Sequence, residues 1–172
     1  LVNPGATLAF TNGDGTGFGF YNNPATSIAV DGGTINAVSG CHLGFGAFMT
    51  TSLENGGSIQ GSWQWNGDGR VAFSSYGDST NTISGNVVLR SDDGASHSFY
   101  VDNGASTADL QINANLSDQS PEVVWATPSG LTKNGPGTMI LAGTNTYDGN
   151  TVVTDGALEV AAAGSLHFRP TT

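Results

Sequence analysis

A short unit led by glycine returns along this chain and constrains its fold more than any other feature. It reads Gly5-Ala6-Thr7-Leu8-Ala9-Phe10, Gly33-Thr34-Ile35-Asn36-Ala37, Gly57-Ser58-Ile59-Gln60, Gly137-Thr138-Met139-Ile140-Leu141 and Gly156-Ala157-Leu158-Glu159-Val160. The starts lie 28, 24, 80 and 19 residues apart, and the longest gap has room for three or four more units of similar length. An apolar residue typically sits two after the glycine, and another often follows two later, which is the period of a strand with one buried face. One rung cannot bury that face alone. Stacking each strand on its equivalent in the next coil, at ~4.8 Å, makes the core continuous, so a repeat of this length predicts a solenoid. The reading is all-β: a parallel β-helix (β-solenoid) forming one domain over residues 1–172. Its rival is a β-sandwich, which favours tight hairpins and an aromatic core. Irregular turn lengths and an aromatic content of 9% lean away from it.

The rest of the composition fits strands joined by frequent turns. Twenty-six glycines recur too often for long helices, and no window of a dozen residues shows helical periodicity. Charged residues make up 10% of the chain, against ~25% in a typical soluble protein, and the net charge is -10. Such a surface repels polyanions, which argues against nucleic acid as a partner. No run of ~18 apolar residues occurs, so direct membrane insertion of this segment is not expected. The chain begins and ends in mid-pattern and reads as a piece of a longer solenoid. Cys41 stands alone, which leaves no intrachain disulfide and no paired-cysteine metal pattern; it is read as a small buried hydrophobe.

One stretch carries a resemblance. From residue 130 the chain reads Gly-Leu-Thr-Lys-Asn-Gly-Pro-Gly-Thr-Met-Ile-Leu-Ala-Gly-Thr-Asn-Thr-Tyr-Asp-Gly-Asn-Thr-Val-Val-Thr-Asp-Gly-Ala-Leu-Glu-Val, ending at Val160. Leu131-Thr132-Lys133, Gly135, Gly137-Thr138, Leu141, Gly143, Asn145-Thr146-Tyr147, Gly149, Thr151, Val153, Gly156, Leu158 and Val160 resemble the autotransporter-associated β-strand repeat, also called the passenger-associated transport repeat. Met139 departs from the usual Leu, and Asp148 stands where Ser or Thr is common. Asp109–Asp118 resembles the segment that often precedes the repeat. The resemblance implies a right-handed β-helix passenger, secreted or held at the exterior of the bacterial outer membrane. There the repeat assists export and folding of a long passenger, and no active site belongs to it. Read from the residues alone, the five motif glycines allow positive φ at corners, Tyr147 lies across a turn as a packing lid, and Leu141, Val153, Leu158 and Val160 supply core.

Sites for chemistry are few, and each has a plainer account. Asp92-Asp93 before Gly94, with His97 nearby, faintly resembles the paired aspartates of polygalacturonases. The companion motifs of that family are missing, and adjacent Asp before Gly is what a turn requires. Asn12-Gly13-Asp14-Gly15 and Asn66-Gly67-Asp68-Gly69 offer hard oxygen ligands but complete no calcium loop, so neither a metal nor another cofactor is expected. Trp63 and Trp65 share a strand face, where two exposed rings would stack on sugars as a glycan contact; burial in the core satisfies the same alternation. His97 and His167 occur singly and read as surface or turn residues. The expectation is a non-catalytic structural and display module whose partners are the adjacent coils of its own polypeptide, and surface glycans or host proteins. The alternatives are a carbohydrate-binding adhesin segment using Trp63 and Trp65, then a polysaccharide-cleaving enzyme built on Asp92 and Asp93.

Overall fold

The computed structural model describes residues 1–11, 17–18, 27–43, 49–66, 71–91, 94–119, 127–162 and 164–166. All of the strands lie in two sheets, and no helix occurs among the described residues. One sheet of six takes Ser27–Asp31, Met49–Glu54, Val71–Tyr76, His97–Val101, Leu131–Asn134 and Thr151–Val153 in chain order. The other, of ten, runs Thr7–Phe10, Thr34–Leu43, Ser58–Asn66, Asn81–Ile83, Leu110–Ile112, Thr138–Leu141 and Ala157–Val160. Beside this path, Asn86–Arg90 pairs with Ser58–Asn66 and Asn115–Asp118, and Gly17–Phe18 pairs with Thr34–Leu43. The chain passes between the sheets on every coil, adding one strand to the six-strand sheet and one or two to the other. This is the succession of a parallel β-solenoid, in which a strand meets its own equivalent one coil later. Every ladder between these strands is parallel, which rules out the hairpin-built sandwich.

Register turns the alternation of the sequence into columns. Leu8, Ile35, Ile59, Ile83, Ile112, Leu141 and Val160 lie one above another in the ten-strand sheet. From Ile35 to Leu141 the members of this column are almost wholly buried. In the six-strand sheet the facing column is Ile28, Thr51, Phe73, Phe99, Lys133 and Val153. A single apolar cluster joins both sheets from Val2 to Tyr147, so the core is continuous along the stack.

The glycine-led units are not all in one register. Ile59 follows Gly57 by two, whereas Leu141, in the same column, follows Gly137 by four. A slip of two residues leaves every side chain on its own face, where a slip of one would turn the core outward.

Between the two limbs of the ten-strand sheet the chain bends at Gly61 and, one coil later, at Gly85, with φ of 100° and 105°. A Cβ at Gly61 would sit 1.9 Å from the Ala37 carbonyl oxygen, and one at Gly85 would sit 2.0 Å from that of Gly61. Gly61→Ala is therefore expected to cost about 2–4 kcal/mol, from backbone strain plus a forced parting of neighbouring rungs. Urea denaturation of the variant against the parent chain measures this, and an unchanged midpoint would contradict the close approach.

Candidate functional site

Lys133 is the most unusual residue in the segment singled out by its sequence. It shares a face with Leu131, two residues earlier, and so points into the core, where it is 1% exposed. Its neighbours in the column are Phe99 below and Val153 above. The ammonium has three protons, and three backbone carbonyls take them: Asn134 O at 3.0 Å, Gly135 O at 2.6 Å and Asp155 O at 3.0 Å. Burial pushes the Lys133 pKa down, while the charges of Asp155 and Asp109 push it back up. The side chain thus ties the corner of one coil to that of the next.

Two further buried polar residues occupy the same edge of the stack. Asn81 accepts from Gly56 N and Gly57 N through Oδ1, and its Nδ2 donates to Leu53 O, Ser75 Oγ and Tyr76 O. Ser75 Oγ donates onward to Asp109 O, and the Asp109 carboxylate accepts from Gly104 N and Thr138 N. Asn81, Asp109 and Lys133 therefore form a polar seam between the sheets, each satisfying backbone groups that a turn leaves without a ladder partner.

The far side of the segment is fastened in the same manner. Asn145 is 1% exposed, and its Nδ2 donates to Gly143 O and Ser165 O. Tyr147 is buried, and its hydroxyl lies 2.6 Å from Thr151 Oγ1, across the corner formed by residues 148–150. Burial raises the Tyr147 pKa, the bond to Thr151 lowers it, and the charge of Asp118 raises it. Tyr147→Phe is expected to cost about 0.5–1.5 kcal/mol through loss of that bond, read from the urea midpoint. Thr146 points outward while its N–H donates to Leu116 O.

Only Gly135 and Gly156 among the five motif glycines have positive φ. Gly137, Gly143 and Gly149 are needed for close approach instead, since a Cβ there would fall within 2.0–2.3 Å of backbone in the previous coil. Leu141 is fully buried. Val153 and Val160 are 46% and 43% exposed, however, because they belong to the outermost rung described.

Residues 131–160 match the passenger-associated-transport-repeat. No curated protein and no solved structure matches the chain. In this fold the passenger-associated transport repeat supplies two strands to each sheet, and its rungs continue the columns of the coils before it. It is built into the stack.

The remaining candidates fare differently. Trp63 and Trp65 are 1% and 0% exposed, so the exposed pair needed for a glycan contact does not exist: both rings face inward. Trp63 donates to Gln60 O at 2.8 Å and meets Phe10 edge-on, while Trp65 packs on Phe73 with ring centroids 4.4 Å apart. His97 is likewise not a surface or turn residue. It is fully buried in the six-strand sheet, on the same inward face as Phe99 and Val101. Cys41 is buried and in no disulfide, in register with Trp63. Asp92, Asp93, Asp14, Asp68 and His167 lie outside the described residues. Among the described residues there is no group of three or more His, Cys, Asp or Glu placed to hold a metal ion, and no helix long and apolar enough to cross a membrane.

Sequence reasoning placed Leu131-Thr132-Lys133 in the repeat without a role for the lysine, included Asp109 in the preceding segment without a role of its own, and passed over Asn81. Spacing carried the signal for two of them. Lys133 lies two after Leu131 and Asn81 lies two before Ile83, and residues two apart share a face. Asp109 had no such signal, because its place comes from the corner it closes.

Proposed function

We propose that this chain is a non-catalytic structural and display module of a secreted or surface-exposed bacterial passenger of the autotransporter kind. In this reading its repeat assists the export and folding of a long polypeptide. The observation that carries the reading is the match of residues 131–160 to the passenger-associated-transport-repeat, within coils whose columns run on without a break. The density of side-chain ties in that segment supports a part in folding. Lys133, Asn145 and Asp109 each bind backbone of an adjacent coil, so a rung that forms here presents an ordered edge for the next. Its partners are then the neighbouring coils of the same polypeptide, with surface glycans or host proteins met by the outer faces of the rod. It needs no cofactor.

The test is deletion of residues 131–160 from the exported parent polypeptide, with surface arrival followed by protease accessibility on intact cells. Surface arrival is expected to fall several-fold at unchanged synthesis. Equal arrival of the deleted and intact chains would reject a part in export. Release of reducing ends from a polysaccharide panel by the purified chain would overturn the non-catalytic reading.

A further inference from the structure

His97 is a titratable side chain enclosed among apolar and aromatic ones. It is 0% exposed, and among the described residues neither Nδ1 nor Nε2 has a hydrogen-bond partner. Its register neighbour in the next coil is Leu131, and its ring meets Trp65 edge-on at 6.2 Å. Two residues along the strand, Phe99 stacks on Phe73 at 4.9 Å, with Trp65 packed against both rings. A leucine would fit this environment without stranding two polar nitrogens, and a protonated imidazole there would be a buried charge with nothing to pair it.

We propose that His97 is an acid-sensitive joint: protonation of its imidazole opens the stack at His97–Val101 and separates the coils on either side. The inference is independent of the export reading, since it rests on the packing of one rung.

The charged groups on the surrounding strands are already committed or face away. Lys133, two residues beyond Leu131, gives all three ammonium protons to carbonyls. Asp118, which follows Leu89 in the column of the opposite limb, accepts from Ser129 N and Asp148 N. Arg90 is next to inward-facing Leu89 and so lies on the alternate face. None of the described residues in the strand Val71–Tyr76 or in His97–Val101 itself carries a carboxylate. Burial accordingly holds the His97 pKa at about 4, against 6.5 for a free histidine. As pH falls below 6.5 the unfolded chain takes up a proton that the folded chain refuses, so stability declines, and the decline ends near pH 4 when both forms are protonated. The folding equilibrium then drops by up to tenfold per pH unit, or about 300-fold across the window. Coils of a solenoid touch only their neighbours, so this loss is felt locally, as opening at one rung.

Amide hydrogen exchange on the whole chain and on His97→Leu, at about pH 7 and about pH 4.5, tests the joint. At the acidic pH the unsubstituted chain is expected to show protection in Val71–Tyr76, His97–Val101 and Leu131–Asn134 lower than in the variant by up to about 100-fold. Near neutrality the variant is protected at least as well. Equal acid loss in both chains would overturn the proposal. If His97→Leu does not fold, the imidazole of the unsubstituted chain is titrated by NMR. Protonation accompanied by loss of protection in those strands supports the joint, and protonation near 6.5 with protection intact overturns it.

Discussion

Replacing Lys133 by alanine is expected to remove about 3–5 kcal/mol of stability, measured by urea denaturation with the slope checked for constancy. Two costs add. Truncating a long, fully buried side chain leaves a cavity in the column between Phe99 and Val153, and three carbonyls lose the ammonium that satisfied them. Lys133→Met separates these costs, since it keeps the stem and removes the charge; the unpaired carbonyls alone should cost about 1–3 kcal/mol. A methionine variant as stable as the parent would mean that desolvation of the ammonium cancels its hydrogen bonds, which happens at some buried charges. In that case the lysine would tie the coils together geometrically without adding net stability.

Trp65→Ala should be as damaging, at about 3–5 kcal/mol, because the indole is wholly enclosed. Phe73, Phe99 and His97 all lose a ring neighbour, and with Trp65 they join two adjacent strands of the six-strand sheet to one strand of the ten-strand sheet. The indole nitrogen has no partner among the described residues, so the loss is almost entirely packing. Trp65→Phe keeps an aromatic ring in place and should recover more than half of the deficit. A chain that tolerates alanine here would contradict the inward placement of the ring. Protection from a polar fluorescence quencher in the folded chain, lost on unfolding, checks the same placement without a substitution.

The solenoid was legible because its two signals survive in one dimension. The glycine-led units mark the start of rungs, and the apolar residue two positions later marks the buried face at Ile35, Ile59 and Met139. The register between units was not legible. The step from Gly57 to Gly137 hides a two-residue slip that becomes visible only when Ile83 and Ile112 are stacked between them. His97 was misplaced for a related reason. An isolated polar residue suggests a turn, yet His97, Phe99 and Val101 alternate as an inward face, and period two outweighs polarity once a strand is long enough to be pinned on both sides. The two tryptophans show the limit of alternation: it put Trp63 and Trp65 on one face, but which face followed only from their register with Cys41, Leu43, Val87 and Leu89.

The bend at Gly61 and Gly85 has a consequence for how such a rod can change length. Ile59 to Trp63, Ile83 to Val87 and Ile112 to Leu116 are each four residues, while Ile35 to Cys41 in the coil before them is six, the surplus being taken up at a register shift between Ala37 and Cys41. The other two corners are elastic: from the facing column to the isoleucine column takes 8 residues at Thr51 to Ile59 and 13 at Phe99 to Ile112, and the return to the facing column takes 10 at Trp63 to Phe73 and 17 at Leu116 to Lys133. New sequence can therefore accumulate at those two corners, where it projects from the rod without disturbing any column. The bend absorbs no more than the two extra residues between Ala37 and Cys41, giving the molecule one tight spine and two edges where a coil can lengthen.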